Sequence, residues 1–387
     1  MSDTALPGPS LRPLANPAYV RTELAKPLPP PASLVGPIAW VRTRLFSTPL
    51  DIVLTLAGIA LALYAAWGLV AFAIVNATWT GVDGDACRKH LDGACWPFVE
   101  TYWQQFVYGR YPIPLRWRAD CVGLAFVALL VPLAIPSVPG KLINALLFIF
   151  GLPIITYVLL GGGILGLEPV ETALWGGLMV TLVIAVTGIV ASLPLGILLA
   201  LGRRSKLPII RLFSVVYIEF WRGVPLITVL FMASNLLPLF MPTGMDVDKL
   251  LRALIGVTLF TAAYQAETIR GGLQAIPKGQ YEGAMALGLD YGRMMRLVVL
   301  PQALALVIPG IVNNFIGLFK DTTLVAIVGV NDFLATMDNS FKDTVWSGPS
   351  LLATGYAFAA LFYFVFCYAM SVYSAGVERR VAVGRRR

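Results

Sequence analysis

The chain has 387 residues, of which 58% are hydrophobic and only 13% charged, about half the charge of an ordinary soluble protein, and its mean hydropathy is +0.77. The apolar residues fall in runs of about 20, long enough to cross a hydrocarbon layer of about 30 Å, which argues against a soluble globular fold. The net charge is +8, but the basic residues sit in short clusters between apolar runs, as in cytoplasmic loops, and not in one patch with interleaved aromatics, so nucleic-acid binding is not expected.

Residues 1–49 carry prolines from Pro7 to Pro49, with the run Pro27-Leu28-Pro29-Pro30-Pro31. This reads as an extended, disordered tail. The first span is Leu50 to Val75, opened by Thr48-Pro49 behind Arg42 and Arg44. A polar loop, residues 77–120, follows with several aromatics and two of the four cysteines. Cys87 and Cys95 flank the single histidine, His90, and fit no zinc signature, so no metal site is expected. They read as a local disulfide if the loop is extracytoplasmic, or as two free thiols. Cys121 and Cys367 lie in apolar runs and read as inert core thiols. Spans two and three, Cys121 to Pro136 and Lys141 to Leu160, form a hairpin through Ser137-Val138-Pro139-Gly140.

After a short loop, residues 161–172, span four runs from Ala173 to Leu201 and stops at Arg203-Arg204-Ser205-Lys206. The apolar segment Leu207 to Met241 is too long for one straight span and is broken at Gly223 and Pro225. It divides into an amphipathic interfacial piece, Leu207 to Trp221, and a membrane helix, Val224 to Leu239. Spans six, seven and eight are Leu250 to Ile269, Val298 to Leu318 and Leu351 to Ser374. A basic tail, 377–387, closes the chain. The expected fold is thus an all-α integral membrane protein with about eight transmembrane helices, by the length rule for spans. The basic loops at Arg203 to Lys206 and Arg270 to Arg296 and the C-tail fall on one side, which puts both termini in the cytoplasm. The loop 77–120, basic yet outside by parity, argues against this assignment.

The loop between spans six and seven, 271–301, differs from the others. Two helix fragments fit it. One follows Ile276-Pro277 and carries Glu282, Ala284, Met285, Ala286 and Leu287, with Gly288 as its stop. The second begins after Asp290, a capping residue type. The first is too short to span and has small residues at helical spacing. It fits either a groove on a partner or a linker lying on the lipid surface.

That stretch resembles the signature EAA loop of binding-protein-dependent ATP-binding-cassette importers: Glu282-Gly283-Ala284, then Gly288, then Val298, Leu300 and Pro301 at the matching spacing. Gly283 and Val298 depart from the usual alanine and isoleucine. Glu219-Phe220-Trp221-Arg222-Gly223-Val224-Pro225-Leu226, Glu267-Thr268-Ile269-Arg270-Gly271-Gly272, Ala275 to Gln280 and Lys320-Asp321-Thr322-Thr323-Leu324 are similar to segments of the polar amino-acid (histidine/glutamine) permeases. The resemblance covers a five-span type I permease core, 173–376. The N-terminal extension, 50–172 with three spans, makes the chain look like the general L-amino-acid transporter permeases of the AapM and BztC kind.

The resemblance implies a bacterial inner-membrane pore-forming subunit that is no enzyme and binds no cofactor. ATP and Mg belong to a partner ATPase dimer docked around Glu282–Gly288, and this chain has no Gly-x4-Gly-Lys-Ser/Thr motif. Further partners are a second permease subunit, the extension favouring a heterodimer, a periplasmic amino-acid-binding protein, the L-amino-acid substrate and membrane lipid. No catalytic residue is required. Polar residues inside a membrane are costly and ask for a reason. Glu219 with Arg222, and Glu267 with Arg270, read as i, i+3 ion pairs at a gate or interface. Asn313, Asn314, Lys320, Asp321 and Thr322 are the candidates for the substrate path, Asn313 and Asn314 equally for helix–helix hydrogen bonds.

Overall fold

The computed structural model describes residues 36–385 except 90, 91, 136 and 243–246; the proline run 27–31, His90 and Arg386-Arg387 lie outside them. The chain forms two compact units, Met1–Leu69 and Val70–Arg387.

In the first unit, part of the expected tail is helical. α1 spans Pro37–Leu45, with Pro37 in the first turn, where a missing N–H costs nothing. α2, Pro49–Val70, is opened by a reciprocal cap: Thr48 N donates to Asp51 Oδ2 and Asp51 N donates to Thr48 Oγ1, both at 3.1 Å. No α2 residue is buried, as befits a helix that is apolar all round and faces lipid.

The second unit begins with the wide helical turn Ala71–Val75. The loop 77–120 is largely structured, holding α3 (Gly84–Arg88) and α4 (Trp96–Tyr108). α5, Arg116–Ala134, is followed at Gly140 by the rod Lys141–Gly161, which contains α6 (Lys141–Leu146) and α7 (Leu152–Thr156). α8 begins at Gly177, later than expected, and runs to Arg203. α9, Pro208–Gly223, and α10, Leu226–Asn235, meet at a bend of 102°. The expected single helix from Val224 to Leu239 is therefore ten residues and a turn, Leu237–Phe240. At 1.5 Å per residue, α10 reaches only about half-way through a bilayer core. Pro225 is the physical cause: it follows extended Val224 and cannot continue the α9 ladder.

α11, Lys249–Ala275, outruns the expected span at its C-terminal end. α12 is Lys278–Ala286 and α13 Tyr291–Met294. A wide turn, Met295–Val299, leads into α14, Leu300–Asp321. α15, Phe333–Ser340, precedes α16, Leu351–Arg385, so the expected tail 377–387 is helical through Arg385.

Among the described residues, six helices are long and apolar enough to cross a membrane, or seven if α9 and α10 count as one span. The expectation of eight also included Leu250 to Ile269. That segment lies in α11, which is long enough but more polar than these six, because it carries buried Arg252 and Gln265 and half-buried Glu267 and Arg270.

The core centres on α8, α11 and α14. Small residues let the backbones approach: a Cβ on Gly196 of α8 would lie 2.6 Å from Gln265 Cβ of α11. Ile184, Leu230, Val257 and Val325 fill one end, and Ile218, Ile269, Val299 and Ala303 the other. A third cluster joins Phe98 and Phe106 of α4 to Phe333 and Met337 of α15. Residues 70–172 share the second compact unit, Val70–Arg387, with α8 to α16, and α4 buries its apolar face against α15 and α16.

Candidate functional site

α12 is a short helix held through Ala284, Tyr281 and Gln280, with its remaining face exposed. Ala284 is 3% exposed. Tyr281 donates to the Leu273 carbonyl at 3.2 Å, and Arg204 Nη1 donates to that carbonyl at 2.9 Å and to the Tyr281 hydroxyl at 3.0 Å. The Arg204 guanidinium also stands 5.6 Å over the Tyr281 ring. The helix ends at Gly288, whose φ is +75°, with Gly288 N bonded to the Met285 carbonyl at 2.9 Å and Leu289 N to the Ala284 carbonyl at 3.2 Å. Asp290 then caps α13 through Arg293 N at 2.8 Å. Gln302 of α14 bonds Gln280 at 2.9 Å. Glu282, Gly283 and Gly288 are exposed, and Met285 and Leu287 present apolar surface, Leu287 at 82% exposure. Leu300 is half-buried and Pro301 exposed at the start of α14. The result is a rigid protrusion whose free face is small and apolar with one carboxylate.

The charged residues form a network instead of two separate pairs. Glu267 does pair with Arg270, Nε to Oε2 at 2.9 Å. Glu219 and Arg222, however, do not bond each other. Glu219 pairs with Arg203 at 2.8 Å, while Arg222 approaches Glu267 at 3.9 Å and stacks 5.7 Å from the Tyr264 ring. Arg203 also reaches Glu267 at 3.6 Å. The correction has a packing cause. The C-terminal end of α8 brings Arg203 between α9 and α11, and its charge competes for both carboxylates. Sequence spacing along α9 could not reveal this, although Arg203 ends an apolar run and was legible as a cluster residue.

The five substrate-path candidates do not converge. Asn314 donates to Thr268 Oγ1 at 3.0 Å and Gln265 Oε1 at 3.3 Å, so both amide hydrogens are spent on joining α14 to α11. Thr322 is buried and bonds the Phe319 carbonyl. Asn313 and Lys320 are exposed and Asp321 is half-buried.

The end of α8 away from α12 carries a cap. The two are separated by the length of a 27-residue helix, about 40 Å. Cys87 and Cys95 are disulfide-bonded with Cα atoms 5.6 Å apart. Cys95 N bonds Thr354 Oγ1 at 2.8 Å and Gly84 N the Val345 carbonyl at 3.2 Å, which ties the cap to the start of α16 and to the connection before it. Tyr102 bonds Asp343. Burial and that bond push the Tyr102 hydroxyl up to about 12. The same bond, with Val345 N, holds the Asp343 carboxyl below its usual range.

The family described as "Binding-protein-dependent transport system inner membrane component" matches residues 192–383. YhdY of Escherichia coli strain K12, an inner membrane amino-acid ABC transporter permease protein, is 49% identical over 350 residues, covering 90% of this chain and 94% of its own. The chain belongs to this family. The permease is also 42% identical over 434 residues to BztC of Rhodobacter capsulatus, a glutamate/glutamine/aspartate/asparagine transport system permease protein, with 95% and 99% of the two chains covered. GltK of Escherichia coli O6:H1, a glutamate/aspartate import permease protein, is 32% identical over 53% of the permease and 92% of itself. A crystal structure of an amino acid ABC transporter with histidines is 30% identical over 53% of the permease and 92% of that chain, with a TM-score of 0.47. The permease is a multi-pass inner-membrane protein, a transport subunit and not an enzyme in its own right.

Proposed function

We propose that the permease forms the translocation path of an ATP-driven importer of polar L-amino acids and couples to its ATPase subunits through α12. The partners in this reading are an ATPase dimer, which hydrolyses ATP with Mg, a second and different permease subunit, and a periplasmic amino-acid-binding protein. Both termini lie on the cytoplasmic side with α12. The amino-acid assignment draws on the names of YhdY, BztC and GltK.

The observation that carries the reading is the form of α12. It is too short to span a membrane, anchored through Ala284 and Tyr281, and exposed along Glu282, Met285 and Leu287. A helix with small residues and an apolar edge fits a groove on a partner and transmits displacement through a stiff mount. The charged network around Glu267 lies at the same end of α11, where it ties α8, α9 and α11 together and moves with them. Glu282→Lys leaves the anchors untouched. The expected outcome is membrane insertion at wild-type level with loss of both ATPase co-purification and uptake. Normal ATPase docking in this variant would refute the coupling role.

A further inference from the structure

The end of the permease opposite α12 holds a polar cavity of about 220 Å³. Three chain segments meet there. The end of α4 runs against the strand that leads into α8, with Gly109 paired to Trp175, and Gly176 pairs in turn with Asn331 ahead of α15. Gly109 has φ +63°, and a Cβ there would overlap the Gly176 backbone. Glycine at 109 is what allows the contact.

The cavity lining is unusual for this molecule. Gln105 and Arg110 come from the end of α4 and just beyond it, Trp175 from the approach to α8, and Asn331, Thr336 and Asn339 from in and around α15. None of the lining residues carries a carboxylate. Among the described residues Arg110 has no acidic partner, and its single bond, from Nη2 to the Ala173 carbonyl at 3.1 Å, leaves most of the guanidinium's donors unused. Trp175 is only 5% exposed with its indole N–H buried and unpartnered, and it borders both this cavity and a neighbouring one lined by Glu171 and Asp248. Asn339 donates to Asn331 Oδ1 at 3.1 Å and accepts from Lys342 at 2.9 Å, which sets a second cation at the rim. Of the acids next to lining residues in sequence, Asp332 is buried and satisfied by Leu334 N, Ala335 N and the Tyr363 hydroxyl, and Asp338 keeps one buried, unpartnered oxygen without lining the cavity. One guanidinium and amide donors, with no acid among the lining residues, make a lining complementary to a carboxylate. A liquid water occupies about 30 Å³, so the volume suits a molecule of amino-acid size.

We propose that this cavity is a carboxylate-binding site that takes a small acidic amino acid or dicarboxylate on the side where substrate arrives. It rests on the importer reading for its physiological ligand, but not for its test. The assembled transporter in lipid nanodiscs, with no binding protein present, is titrated with L-glutamate, with glutarate and with the diamine cadaverine, while tryptophan fluorescence and calorimetry are read. L-Glutamate and glutarate bind and cadaverine does not. Arg110→Gln weakens glutarate at least tenfold, because a charge-assisted pair is lost, and Arg110→Lys recovers part of the loss. Trp175→Phe removes the fluorescence response to glutarate. Arg110 is exposed and makes one backbone bond, so its variants keep the fold, and co-purification of the ATPase checks this for them and for Trp175→Phe. Two results overturn the site: no carboxylate binding to the unaltered transporter, or unchanged glutarate affinity in Arg110→Gln. If Arg110→Gln instead weakens only the docking of a binding protein, the cavity receives an acidic side chain and the small-molecule proposal also fails. Amino-acid uptake with the binding protein restored is scored separately. Uptake that continues while glutarate binding is absent sinks the site and leaves the importer reading standing.

Discussion

Substitutions at Gly288 separate the backbone requirement of α12 from its contact with a partner. Gly288 adopts φ +75° and has no heavy atom within 4 Å of the place a Cβ would occupy. An alanine there meets no internal clash and suffers only the left-handed conformation, about 1–2 kcal/mol for a residue with a Cβ. Asparagine suffers less, since its side chain bonds locally in that region. A cost of that size changes a conformational ratio by a factor of about 5–30. The helix stop loosens accordingly, while Ala284 and Tyr281 keep their anchors. Tryptophan adds the same backbone cost and a bulky group on the exposed face. In proteoliposomes with ATPase and binding protein, initial uptake should fall in the order Gly, Asn, Ala, Trp. Gly288→Ala should weaken ATPase affinity by no more than the factor above, and Gly288→Trp should abolish docking with the protein still in the membrane. Equal and severe loss in Ala and Trp would mean that the backbone alone matters. Uptake and docking at wild-type level in Gly288→Trp would show that this face meets no partner.

Two further outcomes concern the cap at the far end of α8. Reducing the Cys87–Cys95 bridge, or replacing both residues by serine, should lower stability by about 2–3 kcal/mol, from the chain entropy of so short a loop; a thermal transition in detergent that ignores reductant would count against it. Tyr102 should make stability fall at high pH. Its folded value is raised to about 12 against about 10 in the unfolded chain. Its contribution is therefore full below about pH 10 and is lost as pH rises through the folded value. Asp343 is depressed, so its contribution is present above the unfolded carboxylate value and is lost as pH falls through the folded one. Tyr102→Phe should flatten the alkaline limb, and an unchanged limb in pH-resolved unfolding would rule out this origin.

Several local features were legible without coordinates. The long apolar runs mark the membrane helices, because crossing a bilayer needs about 20 apolar residues in succession. Pro277, Gly288 and Asp290 delimit α12 and α13, since helix ends are set by residues within one turn of the break. The charge between Arg203 and Lys206 marks the end of α8. All of these depend on neighbours close in sequence.

Other features depend on residues far apart. Glu219 turns to Arg203 rather than to Arg222 because α8 ends between α9 and α11. Asn314 spends its donors on Gln265 and Thr268 because glycine and small residues bring α8, α11 and α14 close together. The stretch 70–172, separable by its spans, becomes part of one unit through the aromatic contacts of Phe98 and Phe106 with Phe333. The polar cavity gathers Gln105 and Arg110, Trp175, and Asn331 to Asn339 from three stretches that no periodicity connects. The sequence by itself determined the membrane class and the bounds of the short helix α12, because those follow from hydrophobic length and local capping. The tertiary structure alone decided which charges pair and which polar groups share a cavity, because only packing selects among many equally apolar helix faces.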